Sequence, residues 1–306
     1  MSRNPPPESA RGISIIGAGR AGGSMAELLA RRGWPITALW SRRPARARNI
    51  ARRIAAVSPS RPQCPAHSHL AADRGPIVLL APPDGALPSV AAHLARHCTR
   101  LAHAAVLHLS GSLGPEVLSP LRLAGAHTGC LHPLAVFPPS APHADLLVGA
   151  GFAINGDRPA CQVARKLVRS LGGIPFQVSS PQRARYHLAA SLVANDTVAL
   201  FQLALDQAIR AGLTARQARN ALAHLLLTAV RPLVKSPPER VLTGPVARGD
   251  SRTLGEHFSA APGGVASRVH AELSLVLIKM MEQAGRLDRR SARRLARALP
   301  GSRKSR

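Results

Sequence analysis

The stretch Ile13–Gly22, with the sequence ISIIGAGRAG, decides the fold of this chain. Its first four residues have the composition of a short buried strand, and a helix-forming segment over 20–32 follows directly. Gly17, Gly19 and Gly22 give the spacing GxGxxG at the junction. In this context the first glycine allows a tight turn, the second lets a phosphate approach the backbone, and the third lets the helix pack on the strand. The segment therefore predicts a strand, an anion-binding turn and a helix.

Alternating strands and helices continue from this segment to about residue 180. The pattern predicts further strands at 35–40, 76–81, 105–109, 152–155 and 175–178, separated by helices at 44–56, 85–98, 115–123 and 160–171. Strands that alternate with helices in this way form parallel sheets with helical crossovers. We therefore expect an α/β fold whose N-terminal part is a doubly wound parallel sheet of the Rossmann type, over residues 12–180.

The pattern changes to helices alone after Pro181. The segment 182–211 lacks internal proline and glycine and carries apolar residues on all sides, which predicts a long helix buried on most faces. Further helices are expected at 214–230, 253–260 and 264–284. We predict an all-α domain over 181–300, with a disordered tail at 1–11 and a basic tail at 301–306. Because the long helix needs a second apolar partner, we also expect a homodimer built on it.

The charge of the chain is strongly positive, with 41 Lys and Arg against 15 Asp and Glu, or +26. Residues 286–306 hold nine basic side chains and could meet an anionic surface. Aromatic residues make up only 3%, so the sequence lacks an aromatic stripe that could stack nucleic-acid bases, and we do not expect nucleic-acid binding as the main function. We also expect no membrane segment, no metal centre and a cytoplasmic location, since the four cysteines are widely spaced and the N-terminus is polar.

The end of the second predicted strand indicates which dinucleotide the turn would bind. An NAD site needs a carboxylate there for the ribose 2′-hydroxyl, but no Asp or Glu occurs between Glu27 and Asp73. Ser41, Arg42 and Arg43 stand at this place, and guanidinium groups suit a 2′-phosphate. The sequence therefore predicts NADP(H) as cofactor, although both arginines could also be ordinary surface residues. The other residues that we expect around the cofactor are Arg20, Ala21, Ala81, Pro82 and Ser110.

The order of motifs resembles a family of oxidoreductases that join a Rossmann-like domain to a C-terminal domain of unknown function, DUF2520. The motifs that carry the resemblance are GAGRAG, LWSRR, LLAPPD, HLSGSLG, LHPLAVF, SLVANDTVALFQLA and LTGPVARGD, spread over residues 12–285. The resemblance places the chain near the 6-phosphogluconate dehydrogenase-like superfamily, with ketopantoate reductase and imine reductases as relatives. It implies an NADPH-dependent reductase of a small carboxylated carbonyl compound, a 2-oxoacid similar to ketopantoate, with a site at the interdomain cleft.

Ketoacid-reducing relatives carry a lysine and, one helical turn later, an asparagine near the start of the long helix. Asn195 matches the asparagine and would hold the substrate oxygen, whereas Ser191 stands at the lysine position. A ketone needs a proton donor, but an iminium carbon does not. The missing lysine therefore either moves the donor role to another residue or indicates an imine reductase. A protein that binds NADP without turnover, as a sensor or with nucleic acid, is a third hypothesis.

Several side chains could replace the missing lysine as proton donor. The candidates are His257, His132 and Tyr186, while His187 shares a helix face with Ser191 and Asn195. Ser110, in the loop after the strand at 105–109, could bind a substrate carboxylate, or Ser112 and Glu116 could form a capping box there instead. Arg248 could bind the same carboxylate with Asp250 holding it, although a structural salt bridge would use the same two residues.

Overall fold

The fold begins with a seven-stranded sheet that is covered by helices on both faces. The structure, a computed structural model, describes residues 12–64, 76–98, 101–139 and 143–300. The strands are β1 (Ile13–Ile16), β2 (Ile36–Trp40), β3 (Ile77–Leu80), β4 (Ala105–His108), β5 (His127–Pro133), β6 (Gly151–Gly156) and β7 (Ile174–Gln177). The predicted tails at 1–11 and 301–306 lie outside the described residues, as does Asp73.

The helices of the first part alternate with these strands. They are α1 (Arg20–Arg31), α2 (Pro44–Val57), α3 (Leu87–His97), α4 (Ser119–Leu123) and α5 (Arg158–Ser170). One apolar core contains side chains of α1, α2 and α5, and a second contains side chains of α3 and α4. The sheet is therefore wound on both faces, as the alternating pattern predicts.

The sheet order is β2-β1-β3-β4-β5-β6-β7. The chain moves from β1 to β2 on one side and then returns to β3 on the other side of β1, so a topological switch point lies between β1 and β3. Open α/β sheets bind ligands outside the carboxyl ends of the strands at such a point. Ile16 is the last residue of β1, so the glycine turn that follows it lies there.

Two expectations about the first part of the chain need correction, one about the sheet and one about a helix cap. The sheet is mostly parallel, but β6 pairs with β5 in the antiparallel direction. In the described part of the β5–β6 connection the only helical element is a 3₁₀ turn, Ala144–Leu147, so no long crossover carries the chain back to the starting edge. The capping box of Ser112 and Glu116 is also wrong, because Gly114 occupies the N-cap of the 3₁₀ turn Pro115–Leu118.

The remaining elements are all helical. They are α6 (Arg183–Arg210), α7 (Ala215–Val230), α8 (Pro238–Val241), α9 (Pro245–Arg248), α10 (Ser251–Ala260), α11 (Val265–Gln283) and α12 (Arg289–Arg297). The chain divides into two compact units between Ala194 and Asn195, inside α6 rather than at its start. The second unit has its own apolar core, formed mainly by α10, α11 and α12.

The basic run near the C-terminus is largely a helix of this second core. Leu295 of α12 is fully buried, and Ala292 and Leu299 are nearly so. Asp288 accepts a hydrogen bond from the backbone N–H of Ser291 at 2.9 Å and caps the helix. The arginines therefore occupy the outer face of an amphipathic helix, and contact of this run with an anionic surface stays a prediction.

The sequence predicts that the long helix α6 is buried on most of its faces, but in the single chain it is largely exposed. Arg183 is its only buried residue. Exposed fractions reach 78% at Val193 and 70% at Val198. The segment Ser180–Arg210 is long and apolar enough to cross a membrane. Length and composition are only weak evidence for a membrane span, because helices of soluble proteins can meet the same criteria. Apolar side chains of α6 are thus exposed in the part of the chain that the structure describes.

Candidate cofactor and active site

The glycine turn is held against β2 and β3 by backbone contacts. The N–H groups of Gly17 and Ala18 donate to the carbonyl of Trp40 at 2.8 and 2.9 Å. Gly17 has φ +105°, and a Cβ there would collide with the backbone of Ala81. A Cβ on Gly22 would collide with the carbonyl oxygen of Gly17. Both glycines are therefore required by the close approach of the turn to its neighbours.

Gly19 differs from the other two glycines because its surroundings are open. A Cβ at this position would meet only the carbonyl oxygen of Gly17, 3.9 Å away. Its backbone is extended, with φ −85°, so the fold itself does not require glycine. The absence of a Cβ leaves room at the N-terminus of α1, where the first amide groups lack helical partners and favour an anion. This arrangement fits the pyrophosphate of a dinucleotide.

The side chains around the turn leave its face open. Arg20, the first residue of α1, donates from Nη1 to the carbonyl of Phe137 at 3.0 Å, so its guanidinium is held to one side. Ala21, Ala81 and Pro82 are partly exposed beside the turn. The first turn of α1 contains no acidic residue, and Gly19 supplies no side-chain cap. An anion would meet backbone N–H groups here without a competing carboxylate.

The carboxyl end of β2 carries the residues predicted to contact a 2′-phosphate. Ser41 accepts a hydrogen bond from the backbone N–H of Arg43 at 3.3 Å, and the side chains of Arg42 and Arg43 are exposed. Glu27, the acidic residue that precedes this region, is buried and forms ion pairs with Arg31 and Arg53. That carboxylate fastens α1 to α2, so it is not free to bind a ribose.

The loop after β4 is organised by a buried histidine. His108 accepts a hydrogen bond at Nδ1 from the N–H of Ser110, 3.2 Å away, and its Nε2 lies 3.0 Å from the carbonyl of Gly114. Burial lowers the pKa of His108 to about 4, so the ring is neutral. Ser110 is buried, and its Oγ accepts from the N–H of Leu113 at 3.1 Å. The Ser110 side chain therefore shapes the loop.

Three aromatic side chains meet at the end of β5. Nδ1 of His132 lies 2.6 Å from the hydroxyl of Tyr186, and the two rings meet edge to face. The His187 ring centroid is 6.1 Å from that of His132. A Cβ on Gly111, in the loop after β4, would lie 2.7 Å from Nε2 of His132 and 2.8 Å from Nδ1 of His187. Of the predicted donors, the structure therefore brings His132 and Tyr186 together.

Burial controls the charge of this pair. It lowers the pKa of His132 to about 4, with Arg183 and His187 adding to the effect, and it raises the pKa of Tyr186 to about 12. At neutral pH the imidazole is uncharged and the phenol keeps its proton. This favours His132 as the hydrogen-bond partner of Tyr186 over His132 as a cationic acid.

Sequence reasoning missed Arg183, the first residue of α6. Its side chain is almost fully buried, with Nη2 donating to the carbonyl of Ser110 at 2.7 Å and Nη1 lying 2.9 Å from Sγ of Cys130. An arginine next to a proline-initiated turn in an arginine-rich chain gives no signal that it is buried. Gly111 was also missed, because a glycine in a loop does not reveal which rings approach it.

The other predicted substrate residues lie elsewhere. Ser191 is partly exposed on α6 in the first unit, and Asn195 is the first residue of the second unit. Nδ1 of the exposed His257 lies 3.3 Å from Nε2 of His270. Their roles stay predictions.

The segment at Arg248 and Asp250 differs from its expected geometry. Asp250 caps α10, accepting from the N–H of Thr253 at 3.1 Å and from its hydroxyl at 2.7 Å. Among the described residues no salt bridge joins it to Arg248, and Arg248 is exposed. A helix N-terminus attracts the carboxylate more strongly than an exposed guanidinium does. The described residues contain no group of three or more metal ligands.

A glycine turn at the switch point of a doubly wound sheet defines a dinucleotide-binding protein of the Rossmann class. Residues 6–138 match the Rossmann-like domain, and residues 150–275 match the domain of unknown function DUF2520. The chain therefore contains a Rossmann-like segment followed by a DUF2520 segment. No match was found among curated proteins.

Solved structures share the fold over most of the chain. A candidate NADP oxidoreductase from Bacteroides fragilis is 22% identical, with 88% of this chain and 98% of that chain covered and a TM-score of 0.68. A protein from Thermotoga maritima is 25% identical, with 89% and 99% covered and a TM-score of 0.67. A reductive aminase from Aspergillus terreus in complex with NADPH and ethyl levulinate is 18% identical, with 90% and 95% covered and a TM-score of 0.57.

Proposed function

We propose that this chain is an NADPH-dependent oxidoreductase that reduces a small carbonyl compound carrying a carboxylate, such as a 2-oxoacid of the ketopantoate type. The observation that carries the proposal is the open space at Gly19. The fold does not require glycine at this position, and the space would accommodate a pyrophosphate. The fold of the Bacteroides oxidoreductase and of the NADPH-bound aminase supports the same cofactor.

Different residues of the chain would bind different parts of the cofactor. The N-terminus of α1 would hold the pyrophosphate, and Ser41, Arg42 and Arg43 would hold the 2′-phosphate. When bound, NADPH supplies the hydride. The loop after β4 and the end of β5 lie at the same carboxyl edge as the turn, because β1, β3, β4 and β5 are parallel neighbours. The His132–Tyr186 pair therefore lies at the edge where a substrate would meet the nicotinamide.

An imine reductase is the second candidate. It is favoured by Ser191, which stands where ketoacid-reducing relatives carry a lysine and whose hydroxyl is a much weaker acid than an ammonium group. A cyclic iminium substrate already carries the positive charge that a proton donor would otherwise supply. The reductive aminase with the same fold supports this alternative.

The test is a turnover assay with purified protein, NADPH and a panel of 2-oxoacids, simple ketones and cyclic imines. Loss of nicotinamide absorbance with a 2-oxoacid is the expected result. Faster turnover of cyclic imines would establish the second candidate. If NADPH binds but none of the compounds is reduced, the protein is not a reductase of these classes, and the non-catalytic NADP-binding hypothesis gains support.

Replacing Arg42 with alanine should weaken NADPH binding about 10- to 100-fold and leave NADH binding unchanged. The reason is that a hydrogen bond to a charged group contributes about 1.5–3 kcal/mol, and only NADPH has the 2′-phosphate. Fluorescence titration of both nucleotides measures the effect. Arg52→Ala, which removes an exposed arginine further along α2, is the matched control. Equal weakening by both substitutions would show that only general charge attraction is involved.

We also propose that the chain forms a homodimer through α6. This helix has 28 residues, about 42 Å at 1.5 Å per residue. Its exposed apolar side chains are Leu188, Leu192, Val193, Val198, Leu200 and Ile209. An apolar surface of this length is typical of a face that a second copy covers.

A further inference from the structure

Tyr186 is the only tyrosine of the chain, and its hydroxyl is fixed by its neighbours. His132 meets this hydroxyl through Nδ1 at 2.6 Å. The Phe176 ring also meets the Tyr186 ring edge to face, with the ring centroids 6.0 Å apart. The side chain is half-buried, so the phenol is oriented by two rings but not sealed from the edge of the sheet.

A buried positive charge lies one helical turn before this tyrosine. Arg183 is 2% exposed, and among the described residues its guanidinium donates to a backbone carbonyl and a thiol. Its Nε is buried and has no partner among the described residues. Burial of a guanidinium costs desolvation energy, and no carboxylate in the part of the chain that the structure describes forms a salt bridge with Arg183 that would offset it. Such a residue is most simply explained by a negative charge that develops near it during function.

We propose that Tyr186 is the catalytic residue that gives a proton to the substrate oxygen, that His132 positions its hydroxyl, and that Arg183 stabilises the phenolate left behind. The inference rests on the proposed reductase function and names the acid of that reaction. Tyr186 would replace the missing lysine at position 191 from a place about one and a half turns earlier on the same helix.

The proton transfer balances as follows. The hydride adds to the carbonyl carbon, and the electron pair of the C=O π bond moves to the oxygen. The O–H bond of Tyr186 breaks, a new O–H bond forms on the substrate, and the product is an alcohol. Nδ1–H of neutral His132 donates a hydrogen bond to the phenolate, whose charge Arg183 faces. Water then returns a proton to Tyr186.

The electrostatics of the pair agree with these roles. Burial keeps the pKa of Tyr186 high and the phenol protonated, while Arg183 acts in the opposite direction and favours the phenolate. Burial keeps the pKa of His132 low, so it offers an N–H without carrying a charge. The titratable and charged groups that act on this pair, from β4, β5, α6 and the segment after β3, are Cys130, Arg183, His187, Asp84 and His108.

A single tyrosine makes a site-specific test possible. Protein produced with fluorotyrosine carries one label, at position 186, and fluorine makes the phenol more acidic. The ¹⁹F resonance of the nucleotide-free protein should titrate at a higher pH than free fluorotyrosine, because the residue is buried. In the loaded enzyme, replacing tyrosine by fluorotyrosine should move the alkaline limb of the kcat profile to lower pH than in the unlabelled enzyme. The midpoint of this limb should follow the pKa that the ¹⁹F titration gives. A limb that does not move would overturn the donor role.

Two substitutions separate the donor from its positioning residue. Tyr186→Phe should lower kcat for a 2-oxoacid about 10²–10⁴-fold, with the Kd for NADPH within about twofold of the wild type. His132→Ala should lower kcat without changing KM and should shift the ¹⁹F titration, whereas His132→Asn, which keeps an N–H near the position of Nδ1, should restore most of both. Retention of kcat by Tyr186→Phe would exclude this residue as the acid.

The outcomes distinguish the two proposals. No reduction of any carbonyl compound by the wild-type protein overturns the reductase function and the donor role together. Reduction by the wild type that is insensitive to Tyr186→Phe overturns the donor role alone. Reduction that falls with Tyr186→Phe, together with a limb that follows the fluorotyrosine titration, supports both.

Discussion

Gly19 shows how one residue can serve a ligand rather than the fold. A Cβ at Gly22 would meet the carbonyl oxygen of Gly17, whereas one at Gly19 would have open space around it. We expect Gly19→Ala to leave the free energy of unfolding within about 1 kcal/mol of the wild type but to weaken NADPH binding at least about tenfold. Gly22→Ala should lower the melting temperature. Thermal unfolding and nucleotide titration measure the two effects, and unchanged binding by Gly19→Ala would contradict the assignment of the turn.

His108 and His132 make the stability of the first unit depend on pH. Both have a pKa of about 4 in the folded protein, below the value of a histidine in an unfolded chain. As pH falls from 6.5 towards 4, the unfolded state binds more protons, so stability falls. Each histidine contributes a slope of at most about 1.4 kcal/mol per pH unit. Urea unfolding at several pH values should show this loss, and His108→Gln should reduce the slope; an unchanged slope would exclude His108 as a source.

Among the elements, α12 combines a basic surface with a role in the core. Leu295 is fully buried, while Arg293 on the same helix is exposed. We expect Leu295→Ala to lower the free energy of unfolding by about 2–5 kcal/mol, and Arg293→Ala to change it by less than about 0.5 kcal/mol. Denaturant unfolding followed by circular dichroism measures both. A similar cost for the two substitutions would contradict the packing of α12.

The same helix determines how nucleic-acid binding should be tested. Deleting residues 286–306 would remove Leu295 and Leu299 from the core of the second unit, so lost retention on DNA would have two explanations. Replacing the exposed arginines of α12 by glutamine removes charge and leaves the apolar face intact. This comparison separates an electrostatic role from a structural one.

At the scale of the whole molecule, the proposed homodimer through α6 makes a prediction about the oligomeric state. We expect sedimentation to give twice the mass of one chain at micromolar concentration. Val198→Glu should convert this dimer to a monomer, because a charge buried in an apolar interface lacks a partner. Leu123→Glu, which places the same charge at another exposed apolar residue, 85% exposed on α4, should leave the dimer intact. A wild-type monomer would exclude the α6 interface.

The sequence by itself determined the alternation of strands and helices and the position of the cofactor turn, but it did not predict the strand β5. These features depend on local patterns: the apolar period, the spacing of Gly17, Gly19 and Gly22, and the lack of an acid between Glu27 and Asp73. The strand β6 was predicted, but its antiparallel direction was not. The direction of a strand depends on the connection that leads to it and not on its own residues.

Only the tertiary structure decided which side chains meet. His132 and Tyr186 are 54 positions apart in the chain but share a hydrogen bond. They meet because the end of β5 lies beside the start of α6. Arg183 reads as a surface arginine in the sequence, and its burial depends on the loop after β4 and on Cys130. Contacts between distant segments leave no periodic trace in the chain, so composition and spacing could suggest the proton donors but could not choose between them.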